Sequence, residues 1–138
     1  ILPEQKKIEG LGGNMRLGGR DVELKANTMA WELFGRANSV RMRFRHRYEV
    51  DPRYIDQLEE AGLVFSGKEP NQPIMQILEL PSHPYFLGTQ AHPCLTSRPL
   101  RPQPMFVGLV AAAMQRRYPK EESPGYMKTV QKVCSHTA

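Results

Sequence analysis

Cysteine and long apolar runs are both scarce in this sequence. The two cysteines, Cys94 and Cys134, are too few for the disulfide framework of a small secreted protein. No apolar stretch approaches the ~20 residues that a membrane-spanning helix needs. The opening ILPEQKKIEG has neither the apolar core of a secretory signal nor the Arg and Ser bias of a transit peptide. We therefore expect the cytoplasm or another reducing intracellular compartment, and no membrane contact.

The rest of the composition is typical of one globular domain. The 138 residues are 40% hydrophobic and 24% charged, with a formal net charge of +5, and a chain of this length can bury a core. Composition divides it into a polar segment at 1–10, a folded part at 11–117 and a polar, proline-interrupted tail at 118–138. For the tail we expect disorder or docking onto another surface.

The hydrophobic periodicity and the positions of glycines and capping residues predict mixed strands and helices. Glycine-rich residues 11–20 predict a loop. Asn27 or Thr28 is a candidate N-cap for a short helix that ends at Gly35, and Asp51 is a candidate N-cap for the helix predicted over 51–62. The predicted strands cover 21–25, 40–50, 63–67, 74–80 and 85–92, and the predicted helices cover 26–35, 51–62 and 105–117. Strand 85–92 has the pattern of a central strand whose end leads into a site. This order indicates an α/β layered domain whose N-terminal strands are missing.

Five motifs between residues 12 and 113 carry a family resemblance. They are GGNMRLG, RFRHRYEV, GLVFSGKEP, ILELPSHPYFLGTQAHP and TSRPLRPQPMFVGLVAA. Together they resemble, in order, the C-terminal half of the glutamine amidotransferase domain of CTP synthase. The resemblance implies part of a class I amidotransferase-like domain, which is flavodoxin-like with three layers. It also implies the chemistry: a cysteine attacks the glutamine amide, and the released ammonia aminates UTP in an ATP-dependent synthetase domain.

The stretch GTQAHPCLTSRP carries the candidate catalytic residues. In the family motif HPE, the histidine that matches His92 is the general base, and the glutamate orients its imidazole. Cys94 stands in that glutamate's position, and a thiol is a weak acceptor with little negative charge. We therefore expect impaired glutamine hydrolysis. The sequence also contains no GxCxG elbow, so we expect this chain alone to be inactive and the attacking cysteine to come from elsewhere.

Two other roles for Cys94 are less well supported. A nucleophile with His92 as its base would need oxyanion donors, and the sequence identifies none. A zinc site combining these two residues with Cys134 and His136 lacks the usual spacing between ligands. We expect no metal site, and an inert, half-buried thiol at Cys94.

The arginine-rich strand 40–50 supplies the candidate substrate contacts. Alternation places four arginines on one face, opposite Phe44 and Tyr48, whereas a single-stranded nucleic-acid platform needs arginines and aromatics together. We therefore do not expect nucleic acid. The resemblance implies that this strand borders the glutamine pocket, with Arg47 holding the α-carboxylate and Tyr48 beside it, although Phe44 replaces a family histidine. Alternatively, the arginines pair with acidic residues of neighbouring subunits.

The segment GGNMRLGG lacks the order of a phosphate-binding loop. The resemblance implies a regulatory loop linked to activation by GTP, in which Asn14 replaces a threonine and Arg16 matches an arginine. A plain glycine-rich connection is the alternative. We expect no cofactor in this segment, because the family uses ATP, Mg²⁺ and GTP through other parts of the enzyme.

Two functions remain open on the sequence alone. The first is a portion of a CTP synthase-type amidotransferase domain, impaired by Cys94. The alternative is a non-catalytic structural subunit derived from that enzyme within a larger assembly. An incomplete sheet exposes apolar faces and an unpaired edge. We therefore expect the rest of such a polypeptide, other subunits or a homo-oligomer to complete it.

Overall fold

A computed structural model describes residues 16–119 of the chain. Within this range the strands are β1 Arg16–Leu24, β2 Ser39–His46, β3 Val64–Lys68, β4 Met75–Glu79 and β5 Leu87–Thr89. The helices are α1 Met29–Leu33, α2 Ile55–Glu60 and α3 Pro104–Arg117. Two short 3₁₀ turns, Pro52–Tyr54 and Pro93–Leu95, precede α2 and follow β5. No helix in the described range is long and apolar enough to cross a membrane.

The five strands form one curled sheet in the order β2-β1-β3-β4-β5, and every pairing is antiparallel. The longest ladder joins β1 to β2, from the pair Arg16 and His46 to the pair Glu23 and Ser39. The curl brings the two ends of the strand order together, because Phe44 of β2 forms an antiparallel bridge with Ala91 beyond β5. The His92 N–H also donates to the Arg43 carbonyl at 2.8 Å. The end of β2 therefore lies against the segment that leaves β5.

The core lies between the sheet and helices α1 and α3. Its largest cluster joins side chains of β1, β2 and β4 to both helices: Val22, Leu24, Ala30, Met42, Phe44, Ile77, Ala91 and Met105. A second cluster of Met29, Leu33 and Ala111 packs α1 against α3. The Tyr85 hydroxyl donates to the Met105 carbonyl at 2.5 Å, which fixes the start of α3 above the sheet.

Several predicted features are confirmed. Thr28 caps α1, with its Oγ1 accepting from the Trp31 N–H at 3.3 Å, and Asp51 caps the first 3₁₀ turn by accepting from the Arg53 N–H. The predicted alternation of β2 also holds, because Met42 and Phe44 are buried while the arginines between and beside them are exposed.

Three predictions about element bounds are wrong. Residues 16–20 are not a loop, because their ladder with β2 runs through Gly18 and Gly19. Strand β2 ends at His46 rather than continuing to residue 50. The predicted central strand 85–92 is reduced to Leu87–Thr89 at one end of the strand order. There the Thr89 hydroxyl accepts from the Ala91 N–H at 3.0 Å and interrupts the ladder.

Candidate functional site

The candidate site forms where the ends of β2 and β5 meet. The Phe44–Ala91 bridge joins the two segments, and Gln90 Nε2 donates to the Tyr48 carbonyl at 3.3 Å. These contacts bring the segment carrying Arg47 and Tyr48 to the side of the chain that leads into His92. The structure thus brings together, where the two edge strands of the sheet meet, segments that are more than forty positions apart in the sequence.

His92 and Cys94 lie at the start of the second 3₁₀ turn. His92 is the residue before the turn and is half-buried, and its carbonyl accepts from the Leu95 N–H at 3.0 Å. Cys94 is a free thiol and is exposed, so the expectation of a half-buried thiol is wrong. It is the middle residue of the 3₁₀ turn Pro93–Leu95. No hydrogen bond joins its sulfur to the His92 imidazole in the described range.

Arg47 and Tyr48 follow directly after β2. Arg47 is half-buried and Tyr48 is 67% exposed. Both residues lie beyond the end of the strand. Side chains from β2, β4 and the segment after β5 contribute to holding this part of the chain.

A buried polar network supplies that support. His46 Nε2 and Glu49 Oε1 are 2.5 Å apart, with side chains only 12% and 8% exposed. Gln76 Nε2 donates to the same carboxylate oxygen at 3.3 Å, and Gln76 is itself 2% exposed. The Phe44 ring packs against the His46 imidazole in an edge-type arrangement, with the ring centroids 5.5 Å apart. The network links the end of β2 to the interior of β4.

Arg16 lies at the start of β1, below the site. Its side chain is buried and ion-paired with Glu69, and its guanidinium carbon lies 5.8 Å from the centroid of the Phe44 ring. Asn14, the other residue of the predicted regulatory loop, lies outside the described residues. Sequence reasoning missed Glu69, although it belongs to the quoted motif GLVFSGKEP.

Among the exposed arginines of β2, Arg41 forms an ion pair within the chain. Arg41 pairs with Asp21 of β1 at 3.0 Å and also donates to the Gly19 carbonyl, so this arginine already has an acidic partner within the chain. Beyond the strand, the Arg53 side chain hydrogen-bonds to Asp51 and lowers the pKa of that exposed carboxyl from 3.8 to about 2. That pair stabilises the first 3₁₀ turn rather than the site.

A cavity of about 240 Å³ opens beside the polar network, along β4 and β5. Its wall is mostly apolar and includes Val50, Phe65, Met75, Ile77 and Leu78, with Gln76, Gly88, Thr89 and Gln90 completing it. Among residues 16–119, no three histidine, cysteine or acidic side chains gather as metal ligands. Cys134 and His136 lie outside the described residues.

Comparison with known proteins identifies the family. The model for "Glutamine amidotransferase class-I" matches residues 2–112. The chain belongs to the class I glutamine amidotransferase family. Within that family it resembles CTP synthases. The CTP synthase of Thermococcus kodakarensis is 52% identical over 119 residues, covering 86% of this chain and 22% of that protein. That of Haloarcula marismortui is 56% identical over 116 residues, covering 83% and 20%.

A solved structure gives the same result. The glutaminase domain of Trypanosoma brucei CTPS, with bound acivicin, has a TM-score of 0.70 and 32% sequence identity. The match covers 80% of this chain and 42% of that one. The predicted fold class, part of an α/β class I amidotransferase-like domain, is confirmed, and the chain corresponds to a segment of a CTP synthase amidotransferase domain. It spans about a fifth of the length of the curated relatives it matches.

The sequence identified candidate site residues but indicated no role for the side chains that hold their segments. His46, Gln76 and Gln90 had no predicted role. One signal was available, because Gln76 interrupts the apolar run IMQIL in a strand that reads as buried. A polar side chain there needs a hydrogen-bond partner.

Proposed function

We propose that this chain forms the part of a CTP synthase-type amidotransferase domain that supplies the general base and the α-carboxylate contact for glutamine hydrolysis. His92 would activate the attacking cysteine, and Arg47 with Tyr48 would hold the substrate. The observation that carries this proposal is the junction of β2 with the segment after β5, through the Phe44–Ala91 bridge. It supports the proposal because the segments that carry His92 and Arg47 adjoin where the edge strands β2 and β5 meet.

The proposed reaction needs further parts of the domain. The attacking cysteine would come from a segment with a nucleophile elbow, which this sequence does not contain. ATP, Mg²⁺ and GTP would act through other parts of the enzyme, with Arg16 in the loop linked to GTP activation. The partner would be the remainder of the amidotransferase and synthetase polypeptide, or subunits equivalent to it, in a reducing compartment.

We further propose that Cys94 impairs the base. A carboxylate at this position would accept the second ring N–H of His92, fix the tautomer and stabilise the imidazolium that forms during attack. A thiol does neither well, and the Cys94 sulfur makes no hydrogen bond to the imidazole within residues 16–119. In a serine protease, loss of the orienting carboxylate lowers kcat about 10⁴-fold, which bounds the effect expected here.

The test measures glutamate and ammonia release from glutamine by the full natural protein or complex that contains this chain. We expect low turnover that rises in Cys94→Glu, by up to about 10⁴-fold. Cys94→Ser is the matched control, because it changes the same surface turn without adding a carboxylate, and it should leave turnover low. His92→Ala in the Cys94→Glu background should remove the gain.

The alternative function, a non-catalytic structural subunit, is favoured by the replacement at Cys94. It predicts no glutamine hydrolysis in the parent protein and none in Cys94→Glu. Full turnover by the unmodified protein would contradict both the impairment and this alternative.

A further inference from the structure

A buried carboxylate directly follows the two residues proposed to contact substrate. The Glu49 side chain is only 8% exposed, although it lies three residues beyond the end of β2. Glutamate is rarely buried unless its charge is paired or hydrogen-bonded. The partners of Glu49 therefore indicate what its burial achieves.

Two side-chain nitrogens converge on one oxygen of this carboxylate. His46 Nε2 lies 2.5 Å from Glu49 Oε1, and Gln76 Nε2 donates to the same oxygen at 3.3 Å. His46 is the last residue of β2, and Gln76 lies inside β4. The carboxylate is thereby fixed to two rigid strands, while its own backbone belongs to neither.

The contact between His46 and Glu49 encloses Arg47 and Tyr48. It joins the buried side chains of the first and last residues of this four-residue turn. From the other side, Gln90 Nε2 holds the Tyr48 carbonyl at 3.3 Å. This segment beyond the end of β2 is therefore held both by the carboxylate and by the chain that leads to His92.

We infer that Glu49, through His46 and Gln76, is a positioning residue that sets the place of Arg47 relative to His92. This inference rests on the proposed function, in which Arg47 binds the α-carboxylate of glutamine. A guanidinium recognises a carboxylate best through two parallel hydrogen bonds, which require correct alignment. A displacement of about 1 Å in a substrate-positioning group can cost 10²-fold in rate. Releasing the segment should therefore weaken recognition of the α-carboxylate specifically.

The test measures glutamine binding by titration calorimetry in the full natural protein or complex, with Glu49→Ala, Arg47→Ala and the double variant. We expect Glu49→Ala to raise Kd about tenfold and Arg47→Ala to raise it at least as much. The double variant should bind no more weakly than Arg47→Ala, because the carboxylate acts through the arginine. Glu23→Ala is the matched control. It removes an exposed glutamate of β1 whose ion pair with Lys68 is 3.5 Å long, and Kd should not change.

A second ligand separates positioning from a general structural role. 4-Aminobutanamide is glutamine without its α-carboxylate, and its binding should be the same in Glu49→Ala and in the parent. Equal weakening for both ligands would overturn the inference, since it would indicate a general loss of the pocket. If Glu49→Ala does not fold, Gln90→Ala removes the other tether. It should show the same selectivity for glutamine and the same lack of additivity with Arg47→Ala.

The remaining outcomes distinguish this inference from the proposed function. Unchanged binding in Glu49→Ala, or an effect that adds fully to that of Arg47→Ala, would overturn the inference while leaving Arg47 as the substrate contact. Unchanged binding in Arg47→Ala would instead overturn the role proposed for that arginine. A parent protein that binds no glutamine at all would overturn both.

Discussion

Gly67 shows how closely two strands approach at a single residue. A Cβ built there would lie 2.8 Å from Ile77 Cγ1 and 2.9 Å from Ile77 Cβ. Ile77 is 1% exposed and lies at the centre of the core, so it has no room to move. Gly88 on β5 is less constrained, because a Cβ there would meet only the outer atoms of Leu78, at 3.1 and 3.3 Å.

We predict that Gly67→Ala lowers the free energy of unfolding by about 1–3 kcal/mol through overpacking. Gly88→Ala is the matched control and should cost less, because Leu78 can change rotamer. Chemical denaturation of the natural protein that contains this chain measures both. Equal effects for the two variants would contradict the close contact at Ile77.

Residues with a distinctive chemistry were predictable from the sequence, and their environments were not. The family motifs identified His92, Arg47 and Arg16. The positions before predicted helices identified Thr28 and Asp51. The exposure of Cys94 and the burial of Arg16 against Glu69 depend on contacts between distant segments. Local patterns do not encode those contacts.

At the scale of elements, α1 depends on a carboxylate from another strand. The helix has only five residues, and short helices are marginal without tertiary support. Both carboxylate oxygens of Glu79 in β4 accept hydrogen bonds from its first turn, from the Met29 N–H at 2.8 Å and the Ala30 N–H at 3.1 Å. Glu79 is 3% exposed, so water cannot replace it.

We predict that Glu79→Ala destabilises the protein by about 2 kcal/mol or more, because two buried N–H groups lose their acceptor. Glu32→Ala is the control. It removes a carboxylate from the same helix whose partner is the exposed Arg36, and should change stability by less than about 0.5 kcal/mol. Thermal or chemical unfolding of the natural protein measures the difference. A loss in Glu79→Ala as small as in the control would contradict this account.

Element types were predicted better than element ends. The alternation that predicted β2 continues to Tyr48 in the sequence, yet the strand stops at His46 because Glu49 turns inward to meet that histidine. Likewise, β1 begins within a glycine-rich stretch because β2 provides a pairing partner there. Sequence alone identifies which residues favour a strand, whereas neighbouring strands decide where it starts and stops.

At the scale of the whole molecule, the described part leaves apolar surface uncovered. On the outer side of α3, Phe106, Leu109 and Val110 are 42%, 54% and 53% exposed. The mostly apolar cavity along β4 and β5 is also open. Exposed apolar surface of this kind promotes association.

We predict that the chain produced by itself self-associates at micromolar concentration, as measured by light scattering. Co-production with the rest of an amidotransferase domain should give a single species of defined mass. Phe106→Gln combined with Leu109→Gln should reduce the self-association if α3 contributes to it. A monodisperse monomer of the chain alone would contradict the prediction.

The bridge between Phe44 and Ala91 joins residues 47 positions apart in the sequence, and it connects the two ends of a strand order that runs from β2 through β1, β3 and β4 to β5. The separation of Arg47 from His92 is therefore a property of all five strands together. A change in the middle of the sheet, at Gly67 for example, would reach both residues without touching either. In a screen for lost activity, such a distant substitution would lower activity in the same way as a substitution of a reacting residue. A separate measurement of stability would be needed to distinguish the two.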